Sequence, residues 1–134
     1  MTELGFARVR TTGAAVGDPL LSGAPSPVTL MQWHHDTFDL PDGAALLMTN
    51  ESCPNQAFRI DGATYGFQPH FEARPEAILA WVASDGGATV RRHNAAFLER
   101  AEADARRHDA EVLAFSRVIA RAWFALVRAR GSAR

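Results

Sequence analysis

From Ala95 to Ala129 the chain contains neither glycine nor proline, and this unbroken stretch limits what its C-terminal part can become. Within it Phe97, Leu98, Ala101, Ala105, Val112, Phe115, Ile119, Trp123 and Leu126 recur at steps of three, four and seven, marking one amphipathic helical stripe. Such a stripe is far more often core or partner packing than a cofactor box. The segment from Glu99 to Asp109 is so charged that two helices with a bend fit the pattern almost as well as one. Just upstream, Ile78, Leu79 and Val82 recur at helical spacing behind Pro75, and Gly86-Gly87 is placed to follow that helix's end.

The first half has a different rhythm. Glu3 to Thr12 is extended in character, with Leu4, Phe6, Val9 and Thr11, until Gly13 and Gly17-Asp18-Pro19 break it. Leu20 to Pro27 is a loop or a short helical turn. Val28 to Trp33 and Ala44 to Thr49 read as strands separated by the turn Pro41-Asp42-Gly43, and Asn50 to Asn55 reads as a loop. Gln56–Ile60 and Ala63–Gln68 flank Asp61-Gly62, the signature of a hairpin with a type I′ turn. The fold class is therefore α/β, in one unit of 134 residues, strand-rich over 1–72 and helical over 73–134.

Composition removes several function classes. A formal net charge of -1 and a pI near 6.5 give no electrostatic reason to expect nucleic acid or an anionic membrane as partner. All 14 basic residues are arginine, which excludes a lysine nucleophile or Schiff base. Cys53 is the single cysteine, so neither an intrachain disulfide nor a cysteine-rich zinc site can form, and a reducing compartment is expected. Met1–Arg10 lacks the apolar core of a secretory signal, and Arg117, Arg121 and Arg128 interrupt the best candidate for a membrane span. A cytoplasmic location is expected.

Candidate chemistry gathers where the hairpin's second arm runs out, in Tyr65-Gly66-Phe67-Gln68-Pro69-His70-Phe71-Glu72. In an extended chain residues i and i+2 share a face, so His70 and Glu72 can be neighbours while Phe71 points away. A carboxylate beside an imidazole fixes its tautomer and stabilises the imidazolium, as the orienting member of a triad does. The plainer alternative is a histidine satisfied by a carboxylate at a strand end. His34, His35, Asp36, His70 and Glu72 also have the donor types of a metal site. Adjacent His34 and His35 on a strand point to opposite faces, however, so no metal and no cofactor is expected.

Taken together, Trp33-His34-His35-Asp36-Thr37-Phe38-Asp39-Leu40-Pro41, Ser52-Cys53-Pro54-Asn55-Gln56-Ala57-Phe58 and Tyr65-Gly66-Phe67-Gln68-Pro69-His70-Phe71-Glu72 resemble the class I, triad-type glutamine amidotransferases. They are closest to the stand-alone, GMP-synthase-like members. The likeness covers roughly residues 3 to 83 in the right order and spacing. It implies a flavodoxin-like parent fold of which this chain is the C-terminal portion, without the central parallel strands. In that family a cysteine thiolate attacks the side-chain amide of glutamine, a histidine moves the proton and a glutamate holds the histidine. By resemblance His70 is the acid/base and Glu72 its orienter. Trp33, His34, His35 and Asp36 then lie at the mouth of the glutamine site, with Asp36 facing the α-amino group.

The chain departs from the family twice. Pro69 stands where the family has phenylalanine, removing one backbone N–H beside the base. The family's nucleophile also lies on a Gly-x-Cys-x-Gly elbow upstream of every matched segment, and these 134 residues contain no such elbow. Cys53 matches a non-catalytic position and precedes Pro54, which has no N–H to offer an oxyanion hole. Three functions stay open. The chain is the C-terminal part of a glutaminase domain whose gene start is misassigned, truncated or split, working with a synthetase or a complementing N-terminal half. Alternatively it is a degenerate, non-catalytic module that binds a partner through its arginine-rich helix. The third option is a γ-glutamyl peptide hydrolase of the same fold.

Overall fold

Strand β1 (Glu3–Thr11) runs antiparallel to β2 (Val28–His34) over seven paired positions and passes, near Thr11, onto β3 (Ala45–Thr49). β3 pairs with β4 (Ala57–Ile60), and β4 pairs with β5 (Thr64–Phe67), giving a five-stranded sheet of order β2-β1-β3-β4-β5 with every pair antiparallel. This is a computed structural model that describes residues 3–131; residues 1–2 and 132–134, the ends of the expected unit, lie outside the described residues. The β4–β5 turn carries Asp61 at φ 52° and Gly62 at φ 73°, the two positive values a type I′ turn needs, closed by Ala63 N–H donating to Ile60 C=O.

The sheet curls until its ends meet. After β5 the chain bends at Gln68 and Pro69, and the N–H of His70 then donates to the carbonyl of Met31 on β2 at 2.8 Å. His70, just past the hairpin arm expected to end at Gln68, is therefore a bridge between the two sheet edges. Pro69 costs this arrangement no hydrogen bond, since the N–H groups used are those of Gln68, to Gln56, and His70.

Three helices follow: α1 (Pro75–Ala83), α2 (Asp85–His93) and α3 (Ala95–Gly131). Gly86-Gly87 follows the end of α1 as expected, and it also lies in the first turn of α2, a second helix that the sequence reading did not include. Ser84 is the flanking residue of both helices, and Asp85 supplies a carboxylate to the positive first turn of α2. Gly87 is required there by packing: a Cβ would sit 2.0 Å from the Val82 carbonyl oxygen.

Helix α3 is a single helix of 37 residues, so the alternative with a bend is not realised. Its charges face outward, while Ala101 and Ala105 are buried and His108 stacks on Phe6 at 5.0 Å. The two halves of α3 serve different cores. Phe97, Ala101 and Ala105 join Met31, Ile78 and Val90 on one face of the sheet. Val112, Phe115 and Ile119 join Val9, Leu30, Leu47 and Met48 on the other. Period-two alternation in β2 feeds both, with Met31 and Trp33 toward one cluster and Val28 and Leu30 toward the other.

Candidate active site

The His70–Glu72 pair forms where the chain is pinned on all sides. Phe71 turns inward onto Phe67 and Phe115, at ring separations of 5.0 and 5.6 Å, and its carbonyl accepts a hydrogen bond from the Ser116 hydroxyl. Arg74 is tied to Asp109 of α3 at 2.9 Å. With Phe71 facing in, its neighbours face out on one side, and His70 Nδ1 lies 2.7 Å from Glu72 Oε1. The carboxylate accepts from Nδ1–H, which leaves Nε2 to accept or return a proton. The side chains of His70 and Glu72 are 35% and 62% exposed, so the pair is open to solutes.

An aromatic wall supports the imidazole. Trp81 of α1 meets His70 at 5.1 Å with planes inclined by 64°, and Trp33 packs edge-on against both Trp81 and Phe97, at 5.8 and 5.6 Å. Trp33, His70, Trp81, Ser84 and Gly86 line an open groove of about 320 Å³. Trp81 was not singled out in the sequence. Its position three residues after Ile78, on the same helical face, is the signal that could have found it.

The expected substrate cluster divides. Trp33 joins His70 in the groove. His34, the next residue of the strand, points the other way and is buried, its Nδ1 2.8 Å from the Asp36 carbonyl and its Nε2 3.2 Å from both Glu3 Oε2 and Gln32 Oε1. His35 and Asp36 are exposed. His34 is part of a buried polar network: Gln32 Nε2 donates to Gln56 Oε1, Gln56 Nε2 donates to Glu3 Oε2 and to the Cys53 carbonyl, and Asn50 Nδ2 donates to Glu3 Oε1. Its members pair one another, which is what a buried polar cluster requires.

Cys53 belongs to this network. The residue is fully buried, its N–H donates to Asn50 Oδ1 and its Sγ lies 3.2 Å from the Thr37 hydroxyl. The ligand atoms of Glu3, His34 and Cys53 lie within 4.8 Å of one another, the one such set of three among the described residues. Each already has protein hydrogen-bond partners, so the set is satisfied as it stands.

No protein-family model matches the chain. Over 76 residues it is 37% identical to a putative glutamine amidotransferase-like protein, YfeJ, of Salmonella typhimurium, covering 57% of this chain and 32% of that protein. The crystal structure of SMU.1228c superposes with a TM-score of 0.67 at 27% identity, over 87% of this chain and 52% of that one. A glutamine amidotransferase from Thermotoga maritima superposes with a TM-score of 0.64 at 25% identity, over 88% and 51%. The chain thus spans about half the length of these solved structures and about a third of the curated relative.

Proposed function

The chain has a class I glutamine amidotransferase-like fold, and on that premise we propose that it carries the acid/base part of a glutaminase site. Glu72 holds the Nδ1–H of His70, and Nε2 takes the proton of a cysteine thiol as the thiolate attacks the glutamine side-chain amide. The S–C bond forms, the C–N bond breaks, and the same proton leaves on ammonia. Water drawn through Nε2 then hydrolyses the thioester to glutamate. In this reading Trp33 walls the substrate groove, Asp36 faces the α-amino group from the exposed side, and His34 positions the strand that carries them. The thiol comes from outside these 134 residues, in a complementing N-terminal half that precedes this segment or joins it as a separate chain. A synthetase would consume the ammonia. Cys53 does not serve, because it is buried in the Glu3 network and followed by Pro54.

The observation that carries this reading is the 2.7 Å contact between His70 Nδ1 and Glu72 Oε1 at the rim of an open groove. Purified residues 1–134 are expected to release no ammonia from glutamine in a coupled glutamate dehydrogenase assay. A fusion in which residues 1–134 replace the matched part of the Thermotoga maritima enzyme is expected to release it. His70→Ala should lower that rate by about a thousandfold or more, and Glu72→Gln by about 10²- to 10⁴-fold. Turnover by residues 1–134 alone that survives Cys53→Ala would overturn the external thiol.

The indoles of Trp33 and Trp81 beside His70 favour one second reading, a γ-glutamyl peptide hydrolase whose leaving group packs on them. Faster cleavage of γ-glutamyl amines than of glutamine by the fusion would select it. A folded fusion that cleaves neither would select the non-catalytic module.

A further inference from the structure

We propose that Trp81 is a positioning residue: it sets the plane of the His70 imidazole and so aims Nε2 into the groove, while Glu72 decides only which ring nitrogen carries the proton. What Nε2 is aimed at rests on the glutaminase reading. The hold on the ring is a matter of packing alone.

Glu72 is poorly placed to fix a plane. Its side chain is 62% exposed, and the 2.7 Å contact with His70 Nδ1 is the one polar contact of its carboxylate among the described residues. A single hydrogen bond to a carboxylate constrains one ring atom, over a broad range of directions. The outer torsion of a histidine is itself broad, so an exposed carboxylate on a flexible stem follows the ring instead of holding it.

Trp81, by contrast, is held firmly. Trp33 packs edge-on against it at 5.8 Å and is backed in turn by Phe97 of α3 at 5.6 Å. Both indoles pack on the buried cluster of Met31, Ile78, Val90 and Phe97. The Trp81 carbonyl accepts the Ser84 N–H at 3.1 Å and the Ser84 hydroxyl at 2.7 Å, which closes the corner between α1 and α2 over it. Gly87 keeps that corner tight, since a Cβ there would lie 2.7 Å from the same carbonyl oxygen. The backbone of His70 is fixed as well, by its N–H bond to Met31 at 2.8 Å. The two rings meet 5.1 Å apart and inclined by 64°, the edge-on arrangement that aromatic quadrupoles favour, with both partners anchored. Trp81 and His70 line the groove and Glu72 does not, so the carboxylate reaches Nδ1 from outside and a ring held against the indole turns Nε2 inward.

Carbon-13 relaxation of the His70 ring in residues 1–134 tests the hold without any turnover. The ring order parameter should be about 0.85 in the parent chain and in Trp81→Phe, and below about 0.6 in Trp81→Leu. Glu72→Ala should leave it near the parent value. So should Trp123→Phe, which removes an indole from the separate groove between β5 and the C-terminal part of α3. Nuclear Overhauser contacts between the His70 and Trp81 rings, which need no substitution, should be present in the parent chain. In the fusion described above, Trp81→Leu should lower kcat by about 10- to 100-fold with KM unchanged, and Trp81→Phe should keep most of the rate. A fusion that releases no ammonia before any substitution would remove the glutaminase reading, while the ring measurements still decide the hold. A ring equally ordered in Trp81→Leu, a ring loosened as much by Glu72→Ala, absent ring-to-ring contacts, or an active fusion indifferent to Trp81→Leu would overturn the role of Trp81.

Discussion

Asp18 ties its own loop to the remote β4–β5 hairpin. Its Oδ1 accepts the N–H groups of Leu20 and Leu21 at 2.9 and 3.0 Å, its Oδ2 meets Arg59 of β4 at 2.9 Å, and the Tyr65 hydroxyl of β5 lies 3.4 Å from both oxygens. The carboxylate has no exposed surface, so Asp18→Ala would leave two amides and a partly buried guanidinium without their acceptor. A loss of about 2–4 kcal/mol in urea denaturation is expected. Burial first, then the negative charge of Asp18, raises the Tyr65 phenol above its ordinary value, against an opposing effect of Arg59. Folding thus favours the neutral phenol. That contribution is complete below the unfolded pKa of about 10 and is lost as pH rises through the higher folded value. Stability should therefore fall from about pH 10 upward, and Tyr65→Phe should flatten the fall in urea midpoints taken across that range. In the sequence Asp18 was legible only as part of a chain break, because a carboxylate's remote partners leave no local pattern. His70 and Glu72 were legible, because their contact is local and follows from the i, i+2 geometry.

At the scale of elements, α3 decides whether the molecule is one cooperative body. Its first half packs with Met31, Ile78 and Val90 and its second with Val9, Leu30 and Leu47, so the two cores share one helical rod. The Arg106–Glu102 pair, four residues apart at 2.9 Å, supports the charged middle. Ala110 is exposed and lies between the halves. Proline there removes a backbone bond without disturbing a side-chain contact, so Ala110→Pro should cost about 3 kcal/mol or more. It should also separate the two cores' unfolding, seen as non-coincident transitions by near- and far-ultraviolet circular dichroism. The stripe in the sequence was enough to predict helix throughout. It could not choose between a straight and a bent helix, because that depends on whether both cores line up along one axis. Helix α2 escaped the sequence reading for a related reason: glycine marks a helix end and a close backbone approach alike, and Gly86-Gly87 serves as both, as the Val82 carbonyl beside Gly87 shows.

For the whole molecule, the three tryptophans report on two different surfaces. Trp33 and Trp81 pack on each other beside His70, whereas Trp123 is 41% exposed at the far groove. Acrylamide should quench Trp123 most readily, so Trp123→Phe should remove most of the quenchable emission and leave a bluer spectrum. Composition and periodicity were sufficient for the α/β class, the hairpin, the long helix and the proximity of His70 to Glu72, since each depends on neighbours within a few positions of the chain. The bond from His70 to Met31 that curls the sheet shut came only from the tertiary structure, as did the Trp81 wall and the division of Trp33 from His34. So did the burial of Cys53 among Glu3, Asn50 and Gln56. Apart from the bonds of Cys53 to Asn50 and Gln56 and the contact of His70 with Trp81, those contacts join residues tens of positions apart, and which side chains meet is settled by how the sheet curls and where α3 crosses it, information that no local spacing holds.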